Sequence, residues 1–203
     1  MRALIPFDAS NPKTRLSPLL SAAERDSIAR LLLQDVLSAI EDTPLEPEIV
    51  STASISASVP VTVDDRPLDP VVNEAIEDGT PLVVLMADLG LLEAKQVQAL
   101  LKTPGDLVIA PGRGGGTNAL VIRDGTFRVD YHGVSFRDHL RLAEREGLSV
   151  SVVDSFRIAT DVDEPEDLIE VLLHGRGEAA GWLTEAGFHI ETTGGRPSIE
   201  RTG

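Results

Sequence analysis

The chain has 203 residues, 42% of them apolar and none of them cysteine, which allows one α/β core of ordinary size and excludes disulfides and thiolate chemistry. No apolar run approaches the roughly 18 residues of a membrane span, and "MRALIPFDAS" is too short an apolar start for a secretory signal. Asp and Glu number 33 against 18 Lys and Arg, a net charge of −15 with no basic stripe, so nucleic acid is not an expected partner. The chain reads as a soluble cytoplasmic protein. Its lysines are Lys13, Lys95 and Lys102 alone, an acidic surface of the kind that stays soluble at high salt, although an ordinary acidic protein fits the same numbers.

The predicted elements alternate along the chain. "ALIPF" (3–7) is a short buried strand. A helix follows over 21–42, with Ser21 as N-cap, Glu24 three residues on, and Ile28, Leu31, Leu32, Val36 and Ile40 at helical spacing. Then come strands "EIVSTA" (48–53) and "VPVTVDD" (59–65), helix "DPVVNEAIED" (69–78), strand "PLVVLMAD" (81–88), helix "LEAKQVQALLK" (92–102) and strand "DLVIAPG" (106–112). After "TNALVIR" (117–123) the pattern loosens into a turn and the short polar stretch "FRVDYHG". Helix "SFRDHLRLAEREG" (135–147), strand "LSVSVVD" (148–154) and helix "DEPEDLIEVLLHG" (163–175) complete the pattern, with Pro165 in the last helix's first turn. The tail reads as a small helix, one or two short strands and a mobile end. Strands alternating with helices imply right-handed crossovers and a mostly parallel sheet.

In such sheets ligands gather at the carboxyl ends of the strands, where three segments fall. The loop "DASNPKTRLSPLLS" places Lys13 and Arg15 before a helix, offering cations and backbone N–H groups to a triphosphate; the alternative is a solvated pair. Asp88 ends an unbroken apolar strand, a rigid place for a Mg²⁺ ligand, or else caps the next helix. "ATDVDEPEDL" adds Asp161 and Asp163, of which Asp161 falls before the helix proper, while the acidic residues after it suit a helix N-terminus. The glycine run "APGRGGGTNAL" is either a bare turn or an anion nest, with Arg113 as cation and Thr117 and Asn118 as short donors. "YHGVSF" offers the Ser135 hydroxyl at a helix start. No Walker loop, dinucleotide fingerprint or nucleophile elbow is present, and the four histidines lack metal-ligand spacing and read as structural or surface residues.

Together, "NPKTRLSPLLSAAER", "VVLMADLG", "APGRGGGTNALVI", "YHGVSFRDHL" and "RIATDVDEPEDL" resemble the 2-phospho-L-lactate guanylyltransferases of coenzyme F420 biosynthesis, in order from about residue 1 to 175. The resemblance implies a nucleotidyltransferase domain over 1–175, of the sugar-nucleotide-transferase, Rossmann-like α/β type, with a mostly parallel sheet between helices, and a C-terminal extension over 176–203. It implies transfer of GMP from GTP to 2-phospho-L-lactate with release of pyrophosphate, Mg²⁺ as cofactor and a homodimer. Lys13 and Arg15 would grip the triphosphate, with Pro6 in the nucleotide site; Asp88 and Asp161 would hold Mg²⁺. Gly115, Gly116, Thr117, Asn118, Gly133 and Ser135 would receive the acceptor. The base in this architecture lies over the early loops, which offers Asp69 and Asn73 as guanine readers, unless Asn73 merely faces solvent. Two departures stand out: Gly90 where relatives carry proline, expected to loosen the turn after Asp88, and Asp8 where a basic residue is expected. Phosphoenolpyruvate or another small phospho-acid is the alternative acceptor. A non-catalytic GTP-binding module is the alternative of another class.

Overall fold

The computed structural model describes residues 1–192 and 195–202. The mobile end expected of the tail includes residues 193, 194 and 203, which lie outside the described residues. The strands are β1 (Arg2–Phe7), β2 (Glu46–Ser51), β3 (Val61–Val63), β4 (Leu82–Leu85), β5 (Leu107–Pro111), β6 (Thr117–Ile122), β7 (Val150–Val152), β8 (Phe188–Glu191) and β9 (Ser198–Arg201). The helices are α1 (Ala22–Glu41), α2 (Leu68–Glu77), α3 (Ala94–Lys102), α4 (Ser135–Arg145), α5 (Phe156–Ala159), α6 (Asp167–His174) and α7 (Glu178–Glu185), with a 3₁₀ turn at Thr14–Leu16. Helix α1 begins as its sequence dictates: the Ser21 hydroxyl accepts from Glu24 N–H while Glu24 accepts from Ser21 N–H, a reciprocal cap worth about 1 kcal/mol.

Seven strands form one sheet in the order β3-β2-β1-β4-β6-β5-β7. All pairings are parallel except those of β6, which runs antiparallel to both β4 and β5. Only residues 112–116 separate β5 from β6, too few for a crossover helix, so the chain turns straight back. The glycine run is therefore a hairpin tip, and β6 brings its first residues to the carboxyl edge of the parallel strands.

Neighbouring residues of each strand bury on opposite faces, as the two-residue period of a strand demands. Ile5, Val83, Val108 and Val121 pack with α1 and α3; Leu4, Leu82, Leu107 and Leu120 pack with α2, α4 and Phe127. A third core joins Leu16 and Leu20 of the first loop, Ile28 and Leu32 of α1, Leu168 and Val171 of α6, and Ala179, Leu183 and Phe188 of the tail. The segment set apart as an extension thus closes the core of its own protomer. Its antiparallel β8–β9 ribbon is tied to α1 by an Arg201–Glu24 ion pair at 2.7 Å. Asp35, buried in α1, accepts the N–H groups of Glu178 and Ala179 at 2.7 and 3.2 Å and so caps α7. No helix among the described residues is long and apolar enough to cross a membrane.

Candidate active site

The loop after β1 is held by its own hydrogen bonds. Asp8, unexpected there as an acid, organises it: its Oδ1 accepts from Ser10 N–H at 3.0 Å and from the Thr52 hydroxyl at 2.9 Å, while Ala9 N–H donates to Thr52. Asp8 therefore pins the loop to the end of β2. Lys13 is the one non-glycine residue with a left-handed backbone among those described, φ 53°, a conformation that costs about 1 kcal/mol and persists only where its surroundings hold it. Buried Leu16 and Leu20 anchor the following turn in the third core.

The left-handed turn sends the Lys13 side chain under the carboxyl end of β4. Its Nζ lies 2.6 Å from Asp88 Oδ2 and 3.1 Å from Asp163 Oδ1. Burial opposes the ammonium charge, but the Asp88 and Asp163 carboxylates outweigh burial and hold Lys13 above its ordinary range. Arg15 is more exposed and lies 3.6 Å from Asp163 and 3.5 Å from Glu164. A cavity of about 340 Å³ opens beside this cluster, with Pro6, Asn11, Lys13, Arg15, Met86 and Asp88 in its wall.

Asp161 completes the acidic side. Val162 N–H donates to the Asp88 carbonyl at 3.2 Å, laying residues 161–163 beside the end of β4. Burial raises the Asp161 carboxyl above the usual carboxylate range, and the Asp88 and Asp163 charges push the same way. Its Oδ1 accepts from Asn118 Nδ2 at 3.0 Å, and no cation among the described residues pairs with it. Asp163, by contrast, is taken by Lys13 and Arg15. The buried Asp88 Oδ1 has no hydrogen-bond partner among the described residues. An orphaned carboxylate oxygen beside a second carboxylate without a cation is a donor set whose chemistry suits a hard divalent cation such as Mg²⁺. Gly90, expected to loosen the turn, closes it instead: its N–H donates to the Asp88 carbonyl at 3.0 Å, and a Cβ there would come within 2.5 Å of Leu32.

Around the hairpin tip the structure redistributes the expected roles. Arg113 is not a free cation; it pairs with Asp167 and lies 3.9 Å from Glu170, fastening the tip to α6. Asn118, expected at the acceptor, is engaged as well. Its amide donates to Ile158 O and to Asp161, and Gly112 leaves it room, since a Cβ there would lie 2.6 Å from Asn118 Oδ1. Gly115 (φ 86°) packs against Val134, and its carbonyl accepts from Phe136 N–H, locking the tip to the start of α4. Gly116 has open space where a side chain would be, and the Gly114 and Gly116 N–H groups donate to no described residue. Thr117 and Ser135 are 3% and 2% exposed and meet each other at 3.2 Å, with left-handed Gly133 just before α4.

The guanine readers expected on α2 serve the fold. Asn73 makes a two-way bond with the backbone of Val129, at 2.8 and 3.3 Å, and Asp69 accepts Tyr131 N–H at 2.8 Å. Both are used to fasten the 127–131 stretch, which lacks secondary structure of its own to satisfy its amides. The place next to the main cavity is taken instead by a neighbouring hollow of about 200 Å³, which shares Pro6 and Asp8 with it and is flanked by Thr52, Asp64 and Arg66.

This arrangement has known counterparts. The family described as guanylyl transferase CofC like matches residues 1–201. The chain belongs to that family. Proteins named 2-phospho-L-lactate guanylyltransferase from Halomicrobium mukohataei and Natronomonas pharaonis are each 50% identical to it; the first match covers 99% of this chain and all of the relative, the second all of both. Among solved structures, a protein of Desulfovibrio desulfuricans described as a nucleotide-diphospho-sugar transferase superposes with a TM-score of 0.75 at 18% identity, over 91% of this chain and 94% of that one. The molybdopterin-guanine dinucleotide biosynthesis protein A of Archaeoglobus fulgidus does so with a TM-score of 0.52 at 12% identity, over 91% and 100%. These two establish the fold, a nucleotidyltransferase-type α/β sheet.

Asp163, noted with Asp161 in the sequence, holds Lys13. For this member of the guanylyl transferase family, two participants escape a reading of the sequence. Asp8 looks misplaced yet sets the loop. His139 looks structural yet meets Thr117 at 2.9 Å. The last had a signal: with Phe136, Leu140 and Ala143 it falls on one stripe of α4 at helical spacing, which foretells burial.

Proposed function

We propose that the chain transfers GMP from GTP to 2-phospho-L-lactate, giving lactyl-2-diphospho-5'-guanosine and pyrophosphate. The observation that carries this reading is the Lys13 ammonium held between Asp88 and Asp163 at the carboxyl edge of β4, beside the uncompensated Asp161. An oxygen of the acceptor phosphate attacks the α-phosphorus, a new P–O bond forms, and the bond to the α–β bridging oxygen breaks. That oxygen leaves with pyrophosphate. The acceptor phosphate is already ionised at neutral pH, so no side chain has to remove a proton, which suits a site without a catalytic His or Cys. Catalysis then consists of positioning two anions and neutralising charge.

Lys13 and Arg15 serve the β- and γ-phosphates and the departing pyrophosphate. Asp88 and Asp161 hold Mg²⁺, which when bound neutralises phosphate charge. Asn118 fixes Asp161, and Asp167 fixes the turn before α6 by accepting Asp163 and Glu164 N–H at 2.9 and 2.8 Å. The hollow flanked by Thr52, Asp64 and Arg66 takes the nucleoside end, and the hairpin tip with Thr117 and the start of α4 takes the acceptor. In the test, purified protein is incubated with GTP, Mg²⁺ and either 2-phospho-L-lactate or phosphoenolpyruvate, and products are resolved by mass. The expected result is a guanylylated phospholactate, lost by at least about 100-fold in Asp88→Asn and Asp161→Asn. Absence of pyrophosphate release with both acceptors overturns the transferase reading. Near-normal turnover in either variant removes that residue from the metal site.

A further inference from the structure

His139 is fully buried in α4, and its ring is enclosed by aromatic neighbours: Tyr131 meets it edge-on at 5.0 Å and Phe127 at 5.8 Å. Both ring nitrogens are engaged. The backbone N–H of Asp130 points at Nε2 at 3.0 Å. A backbone N–H can only donate, so Nε2 carries the lone pair and the proton of the neutral ring sits on Nδ1. Nδ1 lies 2.9 Å from Thr117 Oγ1 and therefore donates to it. The Ser135 hydroxyl donates to the same oxygen at 3.2 Å. A hydroxyl oxygen has two lone pairs and one hydrogen. Two donors fill the lone pairs, and the one thing Thr117 has left is its hydrogen.

We propose that His139 is a positioning residue for the acceptor: with Ser135 it saturates Thr117 Oγ1, so that Thr117 meets the acceptor solely as a hydrogen-bond donor and selects an anionic oxygen, phosphate or carboxylate. The proposal rests on the reading that Thr117 faces the acceptor. It explains why a polar ring is buried under a hydroxyl in an otherwise apolar layer, and why the "FRVDYHG" stretch keeps a fixed course without being a strand. That stretch carries the Asp130 amide, which chooses the tautomer. Asp69 and Asn73, which fasten the same stretch at Tyr131 and Val129, thereby serve the acceptor indirectly. The chain of influence is short: α2 holds the stretch, the stretch sets the ring, and the ring orients the hydroxyl.

Four variants test it in the protein with GTP and Mg²⁺. Asn places its amide where Nδ1 lies and keeps a donor for Thr117; Gln reaches the Nε2 position and satisfies Asp130 but gives Thr117 no donor. Thr117→Val should raise the acceptor KM by about tenfold or more with the GTP KM little changed, the loss of one hydrogen bond to a charged group. His139→Gln should do the same, His139→Asn should stay within about threefold of the parent, and Thr117→Val combined with His139→Gln should be no worse than Thr117→Val alone. An unchanged acceptor KM in Thr117→Val overturns the acceptor-site reading itself. A raised KM in Thr117→Val together with a normal one in His139→Gln, or with full multiplication in the double variant, overturns the role of His139 alone. Nitrogen-15 histidine spectra of the parent protein give a test that no folding defect can obscure: a neutral ring protonated at Nδ1 is expected, and an Nε2–H tautomer for His139 refutes the proposal.

Discussion

Exchanging the hairpin-tip glycines for alanine one at a time separates backbone strain from contact with a ligand. Gly115 sits at φ 86°, and an added Cβ would meet Val134 Cγ1 at 2.9 Å. The left-handed backbone costs an alanine about 1–2 kcal/mol, and relieving the contact adds on the order of 1 kcal/mol more. Gly115→Ala should therefore destabilise the protein by about 2–3 kcal/mol. Gly116 lies outside the left-handed region and has nothing within 4 Å of where a Cβ would stand, so Gly116→Ala should change stability by no more than about 0.5 kcal/mol. If the acceptor lies against the bare backbone beside Thr117, that same methyl occupies its space, and the acceptor KM should rise at least about tenfold at unchanged GTP KM. Urea titrations followed by circular dichroism give the stabilities, and initial rates of pyrophosphate release at varied acceptor give the KM. The reasoning fails if Gly116→Ala is as unstable as Gly115→Ala. It fails equally if Gly116→Ala is stable and binds acceptor normally, for then the tip is a turn and nothing more.

Three further outcomes are expected. Burial holds the His139 ring near a pKa of about 4, against an ordinary 6.5, with the Asp130, Asp69 and Asp138 charges opposing burial. The unfolded chain thus takes the proton first, and the contribution is complete above pH 6.5 and lost as pH falls towards 4. At pH 4.5 this amounts to on the order of 2–3 kcal/mol, and urea midpoints should show a shallower acid loss for His139→Asn than for the parent. Gly177→Ala would set a Cβ 2.1–2.5 Å from the Asp35 carboxylate, so the cap of α7 is lost. The melting temperature should fall by several degrees for about 2 kcal/mol, with kinetics of the folded fraction unchanged. Lys13→Met removes the ammonium from Asp88 and Asp163. Turnover should drop by at least about 100-fold, while Mn²⁺ titrated without nucleotide should bind more tightly than to the parent, because no side-chain cation competes; weaker binding would show that Lys13 supports the metal instead of competing with it.

Much of the architecture is legible in the sequence because local and global signals agree. Ser21 and Glu24 open α1 by a rule that needs four residues, and Asp88 stands at the end of an apolar run whose burial is decided by its own composition. The direction of β6 is not legible. "TNALVI" is buried on both faces, and a strand without alternation carries no mark of its orientation; what reverses it is the shortness of the glycine connection. Arg113, Asn118, Asp69 and Asn73 mislead for a common reason. Each is polar and near the predicted ligand edge, yet each commits its hydrogen bonds to a partner 40 to 62 residues away, as with Asn118 and Ile158 or Asp69 and Tyr131, and such pairings exist only once the chain is folded. His139 is hidden because its work is done through another residue.

The reversed strand has a consequence for how the family can diversify. Hairpin tip, β6, the 127–134 stretch and the first turns of α4 form one uninterrupted segment, 112–139, and in the proposed reaction they supply the acceptor side. In the same proposal the nucleotide side comes from the loops after β1, β2, β3 and β4 and from the turn before α6, outside that segment. A change in acceptor therefore needs only a local exchange of sequence, as a cassette is replaced in a machine whose drive is left alone. The fastenings the cassette cannot carry with it are α2, whose Asp69 and Asn73 would have to suit each new insert, and the 158–170 stretch, where Asn118 meets Ile158 and Asp161 and Arg113 meets Asp167.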